Sequence, residues 1–228
     1  MRYGVPGLAV ILAIASCGAP GQRSVDSPVI TPAQVSDFSV LYAQNCTGCH
    51  GPDGQSGLAV GLGDPVYLAI ADDTIIRRVT AEGVSGTAMP AFAQQAGGML
   101  TDAQIDIIVS GIRERWAKAG ILGQAKPPAY AMQALGDPKH GETVFSVYCS
   151  SCHGVTGRGG ERASSIVDGS YLMLVSNQHL RTIAIVGLPM MGAPDWRSDV
   201  PGMPLADDDV TDVVAWLASQ RPTPTGGP

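Results

Sequence analysis

The chain carries the same five-residue pattern twice, and this duplication constrains its fold more than any other feature. The pattern is Cys-x-x-Cys-His, at residues 46–50 and again at residues 149–153. The two motifs are 103 residues apart, and further matches follow at an offset of 104 and then of 105: Asp64/Asp168, Tyr67/Tyr171, Leu68/Leu172, Arg77/Arg181, Gly83/Gly187, Asp102/Asp207, Ile105/Val210, Ile108/Val213 and Val109/Val214. Small loop insertions would produce such a drift, so the sequence predicts two tandem copies of one domain.

Each copy is predicted to be a small all-α domain built around a ligand. Apolar residues follow the motif at helical spacing, at Leu68, Ile75, Ile76 and Val79 and again at Leu172, Val175, Leu180 and Ile183. A final helix then opens with acidic residues, Asp102 in one copy and residues 207–209 in the other. Acidic residues are favourable at the positive end of a helix dipole, which supports a helix start at both places.

The Cys-x-x-Cys-His pattern is typical of covalent haem attachment. The two thiols add to the vinyl groups of haem as thioethers, and the histidine coordinates the iron. The sequence therefore predicts two haem c groups, with these residues holding the porphyrins and the irons: Cys46, Cys49 and His50 in the first copy, and Cys149, Cys152 and His153 in the second. Zinc ribbons place their cysteine pairs about 15–20 residues apart, whereas Cys49 and Cys149 lie a hundred residues apart.

The first seventeen residues are predicted to be a bacterial export signal. Arg2 is their only charged residue, the apolar stretch is too short to span a bilayer, and Ile-Ala-Ser precedes Cys17 as in a lipobox. Lipidation of Cys17 would tether the protein to a membrane on the periplasmic side. The alternative is cleavage after Ala15, which would leave Cys17 as an unmodified thiol.

Stretches rich in Gly, Pro and polar residues give the remaining boundaries. We expect a flexible tether over residues 18–33, a first domain over 34–118, a linker over 119–137, a second domain over 138–221 and a disordered tail over 222–228.

Each copy resembles a class I cytochrome c domain, with its Cys-x-x-Cys-His-Gly segment, a late loop methionine and an amphipathic C-terminal helix. The resemblance implies low-spin haem with histidine and methionine ligands, and electron transfer without substrate chemistry. In the first copy, Met-Pro-Ala-Phe at residues 89–92 is similar to the family's ligand loop, which makes Met89 the expected sixth ligand. The alternative is Met99, with Met89 filling the core.

The second copy departs from this pattern because the position of Met89 falls on Ala193. If the loop is extended, residues two apart point the same way, so Met191 would replace the lost side chain. The spacing agrees, since His50 and Met89 are 39 positions apart and His153 and Met191 are 38 apart. Met203, Met190, or an open or histidine-ligated iron are the alternatives.

Several other polar and aromatic residues carry weaker expectations. His140 is expected to be solvated, and His179 to have a packing or surface role. Arg77 and Arg181 would either bridge haem propionates or lie on a solvated helix face. By resemblance, Pro65 stands where the carbonyl partner of His50 would be expected, and no such role is assigned to Gly169. Phe92 and Trp196 are expected to pack near the haem edges.

The predicted function is electron transfer between respiratory or photosynthetic redox proteins. The net charge of −6 and the absence of a basic patch in the sequence argue against a nucleic-acid partner. Residues 192–197 and 213–217 look similar to accessory cytochromes of bacterial respiratory complexes, so a quinol-oxidising complex or a terminal oxidase is the hypothetical partner. The alternative is a dihaem enzyme, such as a peroxidase or sulfur-compound dehydrogenase, that uses the second iron without a methionine ligand. Both domains are minimal in length, which argues against it.

Overall fold

The computed structural model describes residue 1 and residues 30–57, 59–197 and 200–223. The predicted export signal with Cys17, most of the tether and the end of the tail lie outside these residues. The described part forms ten α-helices: α1 (Phe38–Asn45), α2 (Thr47–His50), α3 (Pro65–Ile70), α4 (Asp73–Glu82), α5 (Asp102–Trp116), α6 (Pro138–Tyr148), α7 (Ser150–His153), α8 (Gly169–Leu174), α9 (Asn177–Val186) and α10 (Asp207–Ser219). None of these helices is long and apolar enough to cross a membrane.

The second five helices repeat the first five in order and in contacts, which confirms the all-α tandem prediction. In the first copy α5 packs against α1 and α4, and in the second copy α10 packs against α6 and α9. The repeated aspartates are helix caps. Asp64 accepts hydrogen bonds from the backbone N–H groups of Val66 and Tyr67, and Asp168 accepts one from Tyr171. A carboxylate at this position satisfies backbone donors that the first helical turn leaves unpaired.

The crossing of the first and last long helices is packed in opposite ways in the two copies. Phe38 of α1 lies over Gly111 of α5, where an added Cβ would come within 2.1 Å of the ring. In the second copy the glycine is Gly141 of α6, and an added Cβ there would lie 2.0 Å from the Asp212 carbonyl and 2.9 Å from Trp216 Cβ. Residue 141 follows Phe38 by 103 positions and Trp216 follows Gly111 by 105. The large and small residues have therefore exchanged helices.

The repeated arginines join the fourth helix of each copy to its last helix. Arg77 binds Asp102 at 3.0 Å and Asp106 at 2.7 Å, and its side chain is 40% exposed. Arg181 binds Asp207 at 2.5 Å, Thr211 Oγ1 at 2.9 Å and the Ala129 carbonyl at 2.9 Å, and it is completely buried. The solvated-face interpretation is therefore wrong for Arg181. Both guanidinium groups bind carboxylates of the last helix. The propionate contact considered from the sequence stays a prediction.

The segment between the domains contacts both of them. Arg197 donates to the Ile121 carbonyl at 3.0 Å, and Gln178 donates to the Tyr130 carbonyl at 2.7 Å. The Tyr130 ring meets the buried Tyr67 ring of α3 edge-on, with ring centroids 6.4 Å apart. These contacts tie the predicted linker to α9 and to the segment that follows α9, while Tyr67 joins it to the first copy.

His140 is half-exposed, as expected, but it pairs with Asp212 of α10 at 2.8 Å. The hydrogen bond to Asp212 raises the pKa of His140, and the charges of Asp212, Asp209 and Asp137 act in the same direction. A raised pKa in the folded state means that this pair stabilises the fold below the unfolded pKa of about 6.5 and stops doing so as pH rises through the folded pKa.

We therefore expect His140→Gln to lower the urea midpoint of unfolding more at pH 6 than at pH 9. Lys139→Gln, one residue away on α6, provides the control and should shift both midpoints alike. An equal effect of His140→Gln at the two pH values would contradict the pairing.

Candidate haem sites

The first Cys-x-x-Cys-His motif forms a single helical turn. The Cys46 carbonyl accepts hydrogen bonds from the backbone N–H groups of Cys49 at 3.2 Å and His50 at 2.9 Å. Cys46 and His50 are buried, whereas Cys49 is exposed. Burial raises the pKa of the Cys46 thiol to about 12 and lowers the pKa of His50. A neutral imidazole is the form that binds a metal, so burial favours the state of His50 that coordination needs.

The second motif forms the same turn. The Cys149 carbonyl accepts hydrogen bonds from the Cys152 N–H at 3.1 Å and the His153 N–H at 3.0 Å. None of these four cysteines is joined in a disulfide. Two thiols and an imidazole on one turn fit the donor set that covalent haem attachment requires.

Both imidazoles are oriented by a backbone carbonyl. His50 Nδ1 lies 2.8 Å from the Val60 oxygen, and His153 Nδ1 lies 2.8 Å from the Ser164 oxygen. A carbonyl only accepts hydrogen bonds, so Nδ1 carries the proton and Nε2 is left to bind iron. The sequence-based expectation for Pro65 is wrong, because Pro65 opens α3 and Val60 supplies the carbonyl. The second copy has this contact as well, at an offset of 104.

The loop that follows α4 holds Met89 in a braced conformation. The helix ends at Gly83, whose φ of 69° is reached without strain only by glycine. Val84 N–H then donates to the Met89 carbonyl at 3.0 Å. The Thr87 hydroxyl donates to the Val84 carbonyl at 2.8 Å and accepts from the Met89 N–H at 3.2 Å. Met89 is partly buried, and Met99, the alternative ligand, is exposed.

The loop that follows α9 has the same backbone frame but an alanine at the equivalent position. Gly187 ends the helix with φ of 73°, and Leu188 N–H donates to the Ala193 carbonyl at 3.0 Å. A Cβ added at Gly187 would lie 2.7 Å from the Ala193 carbonyl oxygen. A Cβ added at Gly83 would lie at the same distance, 2.7 Å, from the Met89 carbonyl oxygen. The structure therefore confirms that Ala193 occupies the position of Met89.

The extended loop assumed in the sequence argument for Met191 is wrong. Residues Pro189–Met191 form a 3-10 turn, and Gly192 follows in the left-handed region with φ of 80°. Leu188 and Ala193 exchange hydrogen bonds in both directions, so residues 189–192 form a closed turn. Met191 is 78% exposed at this turn, and Met190 and Met203 are exposed too. Met191 as the sixth ligand remains a prediction, which now depends on the reach of its side chain and not on the direction of the strand.

The aromatic residues after the two loops are anchored by their backbones. Phe92 N–H donates to the Thr80 carbonyl and Trp196 N–H to the Ile185 carbonyl, so each fixes its loop to the preceding helix. Trp196 is buried, and the Arg197 guanidinium lies 4.9 Å from its ring centroid. Arg197 also pairs with Asp195 at 2.6 Å. Sequence reasoning missed this pair, although the two residues stand two positions apart in the run 192–197.

His179 lies on α9 in a partly buried position. Its backbone N–H donates to the Ser176 hydroxyl at 3.1 Å, and burial lowers the pKa of its imidazole. The packing role expected from the sequence agrees with this position.

Two tandem helical domains, each with a Cys-x-x-Cys-His turn and an oriented imidazole, define a c-type cytochrome. The sequence matches the family of cbb3-type cytochrome c oxidase subunit III over residues 33–110 and 136–217. The chain belongs to this family, whose cofactor is covalently bound haem c and whose role is electron transfer.

The chain is also similar to two curated proteins, each described as a cytochrome bc1 complex cytochrome c subunit. It is 23% identical over 206 residues to the protein of Corynebacterium efficiens and 24% identical over 214 residues to that of Corynebacterium diphtheriae. These matches cover 86% of this chain in both cases, but only 66% and 69% of the respective relatives. Among solved structures, it is similar to the reducing HAO-like protein complex of Kuenenia stuttgartiensis, with a TM-score of 0.49 and 17% identity over 81% of this chain and 96% of that chain.

Proposed function

We propose that the protein is a dihaem electron carrier of a respiratory complex. The observation that carries the proposal is the pair of Cys-x-x-Cys-His turns, each with its imidazole held through Nδ1 by a carbonyl. Haem c would supply a reversible one-electron change at its iron. The proposed porphyrin attachments are Cys46 and Cys49 in the first copy and Cys149 and Cys152 in the second; the proposed axial ligands are His50 with Met89 and His153 with Met191.

The chain's own residues would set the properties of the two haems. A hydrogen bond from Nδ1 to a carbonyl fixes the ring orientation and raises the basicity of the coordinating nitrogen. A thioether ligand favours the ferrous state and raises the potential of the iron. Since the first loop holds its methionine at a braced position and the second does not, the two haems should differ in potential. A difference of this kind suits a relay that passes electrons in one direction.

The proposed partner is a quinol-oxidising complex of the bc1 type. The two curated relatives are named as cytochrome c subunits of such a complex, and this supports the assignment. The family description, a cbb3-type oxidase subunit, supports a terminal oxidase as the acceptor. Lipidation of Cys17 would keep the carrier at the membrane surface in the periplasm, with domains over residues 34–118 and 138–221 joined by the segment 119–137.

The test is the haem content and redox behaviour of the full chain produced in an export- and maturation-competent host. We expect two haems per chain in a pyridine haemochrome assay and two one-electron waves in a potentiometric titration. Cys46→Ala with Cys49→Ala should remove one wave, and Cys149→Ala with Cys152→Ala should remove the other. A single haem per chain, or two haems that a bc1-type complex supplied with quinol does not reduce, would contradict the proposal.

Membrane attachment is tested separately with Cys17→Ala. We expect the wild-type chain in the membrane fraction and the variant in the soluble periplasmic fraction. A variant that stayed with the membrane would rule out the lipid as the sole anchor.

A further inference from the structure

The loops that follow α4 (residues 83–89) and α9 (residues 187–193) share one backbone frame, so a difference in their side chains has a direct consequence for the haems. Both loops begin at a left-handed glycine, and both close with a hydrogen bond of 3.0 Å, from Val84 to Met89 or from Leu188 to Ala193. The register of the second loop is fixed by this closure, so Met191 cannot slide into the position of residue 193. A methyl group at Ala193 offers the iron no donor atom.

The brace of the first loop is also missing from the second. Thr87 holds Met89 in place by accepting from its N–H and donating to the Val84 carbonyl. Met191 follows Thr87 by 104 positions and stands in its place. In the second loop, the residue at the bracing position is therefore the proposed ligand itself. Its backbone N–H donates to the Leu188 carbonyl, which fixes the turn but leaves the thioether unsupported.

A methionine in this situation is a weak ligand on physical grounds. Its side chain has three rotatable bonds and is exposed at the turn, so it would lose most of its rotamer freedom on binding iron. The partly buried and braced Met89 has less freedom to lose. This difference alone corresponds to roughly a 10-fold weaker bond for Met191.

We propose that the second haem site binds a small neutral diatomic molecule, such as carbon monoxide or nitric oxide, in exchange for Met191, whereas the first site does not. This inference rests on the proposed dihaem function. The exchange would break the bond between the Met191 sulfur and the iron and form one bond between the iron and the diatomic molecule, and the iron would stay ferrous.

The test is a titration of the reduced, full-length dihaem protein with carbon monoxide, followed by visible absorption. We expect one carbon monoxide per chain at saturation. Ala193→Met should place a thioether sulfur at the position that Met89 has in the first loop. This variant should weaken carbon monoxide binding about 10-fold or more. Met89→Ala, which gives the first loop the alanine that the second loop has at this position, should add a second carbon monoxide per chain.

Two further variants test the identity of the displaced ligand. Met191→Leu should tighten carbon monoxide binding, because the competing thioether is gone, and Met203→Leu should leave it unchanged. A tighter complex with Met203→Leu in place of Met191→Leu would overturn the assignment of Met191.

The haem content of the same sample separates the possible failures. Two haems per chain with no bound carbon monoxide, with two bound molecules, or with no response to Ala193→Met would overturn this inference alone. Fewer than two haems per chain would overturn the proposed dihaem function together with it.

Discussion

Replacing Arg181 with alanine is expected to destabilise the second domain by about 3 kcal/mol, near the low end of the range for breaking a buried ion pair. Arg181 is completely buried and donates to Asp207, Thr211 and the Ala129 carbonyl. Its removal would leave a cavity and deprive those groups of their donor. Asp207 is 44% exposed, so water would solvate its freed carboxylate, which keeps the loss from being larger.

Arg77→Ala is the matched control, because Arg77 occupies the same position in the first copy. Its two ion pairs lie at the surface, where solvent screens them, so we expect a much smaller loss than for Arg181→Ala. The measurement is denaturant unfolding of the haem-loaded full chain, followed by circular dichroism. Arg181→Ala should also speed proteolysis between residues 121 and 130, because Arg181 binds Ala129 within that segment. Equal effects of the two substitutions would show that the buried network carries no extra stability.

Replacing Gly141 with alanine is expected to cost about 3 kcal/mol, the upper part of the range for overpacking. The added methyl would lie 2.0 Å from the carbonyl oxygen of Asp212, so α6 and α10 would have to separate. The gain in helix propensity from glycine to alanine is only about 1 kcal/mol and does not offset this. The readout is the free energy of unfolding from denaturant titration.

Gly169→Ala in the same domain is the control, because its added methyl would meet only Pro222 at an ordinary 3.4 Å. We expect a change within about 0.5 kcal/mol there. Trp216→Ala combined with Gly141→Ala should not restore stability, because the close contacts are with the Asp212 backbone and with the Trp216 Cβ, which alanine keeps. A full rescue by that second change would contradict this placement of the clash.

The sequence predicted the elements that depend on neighbouring residues. The two Cys-x-x-Cys-His turns and the final amphipathic helices follow from motifs and periodicity within a few turns of chain. The tandem repeat follows from a comparison of the two halves, and the structure and the family match confirm the tandem all-helical class. The alignment of Met89 with Ala193 was also correct, because the two loops keep equal length from their glycines. The extended loop assumed for Met191 was wrong, because residues Pro189–Met191 form a 3-10 turn, in which residues two apart no longer share a side.

The sequence by itself determined the chemistry: covalent attachment needs its thiols and imidazole within five residues, so their identity and order suffice. Only the tertiary structure decided which distant groups complete the sites. The carbonyls of Val60 and Ser164 orient the imidazoles, and Arg181 is buried against α10 and the inter-domain segment. At the crossing of the first and last long helices, the second copy has Gly141 where the first copy has the large Phe38. Each of these depends on how closely two backbone segments approach, over separations of ten residues or more. That distance is set by packing of the whole domain, and the local order of residues does not encode it.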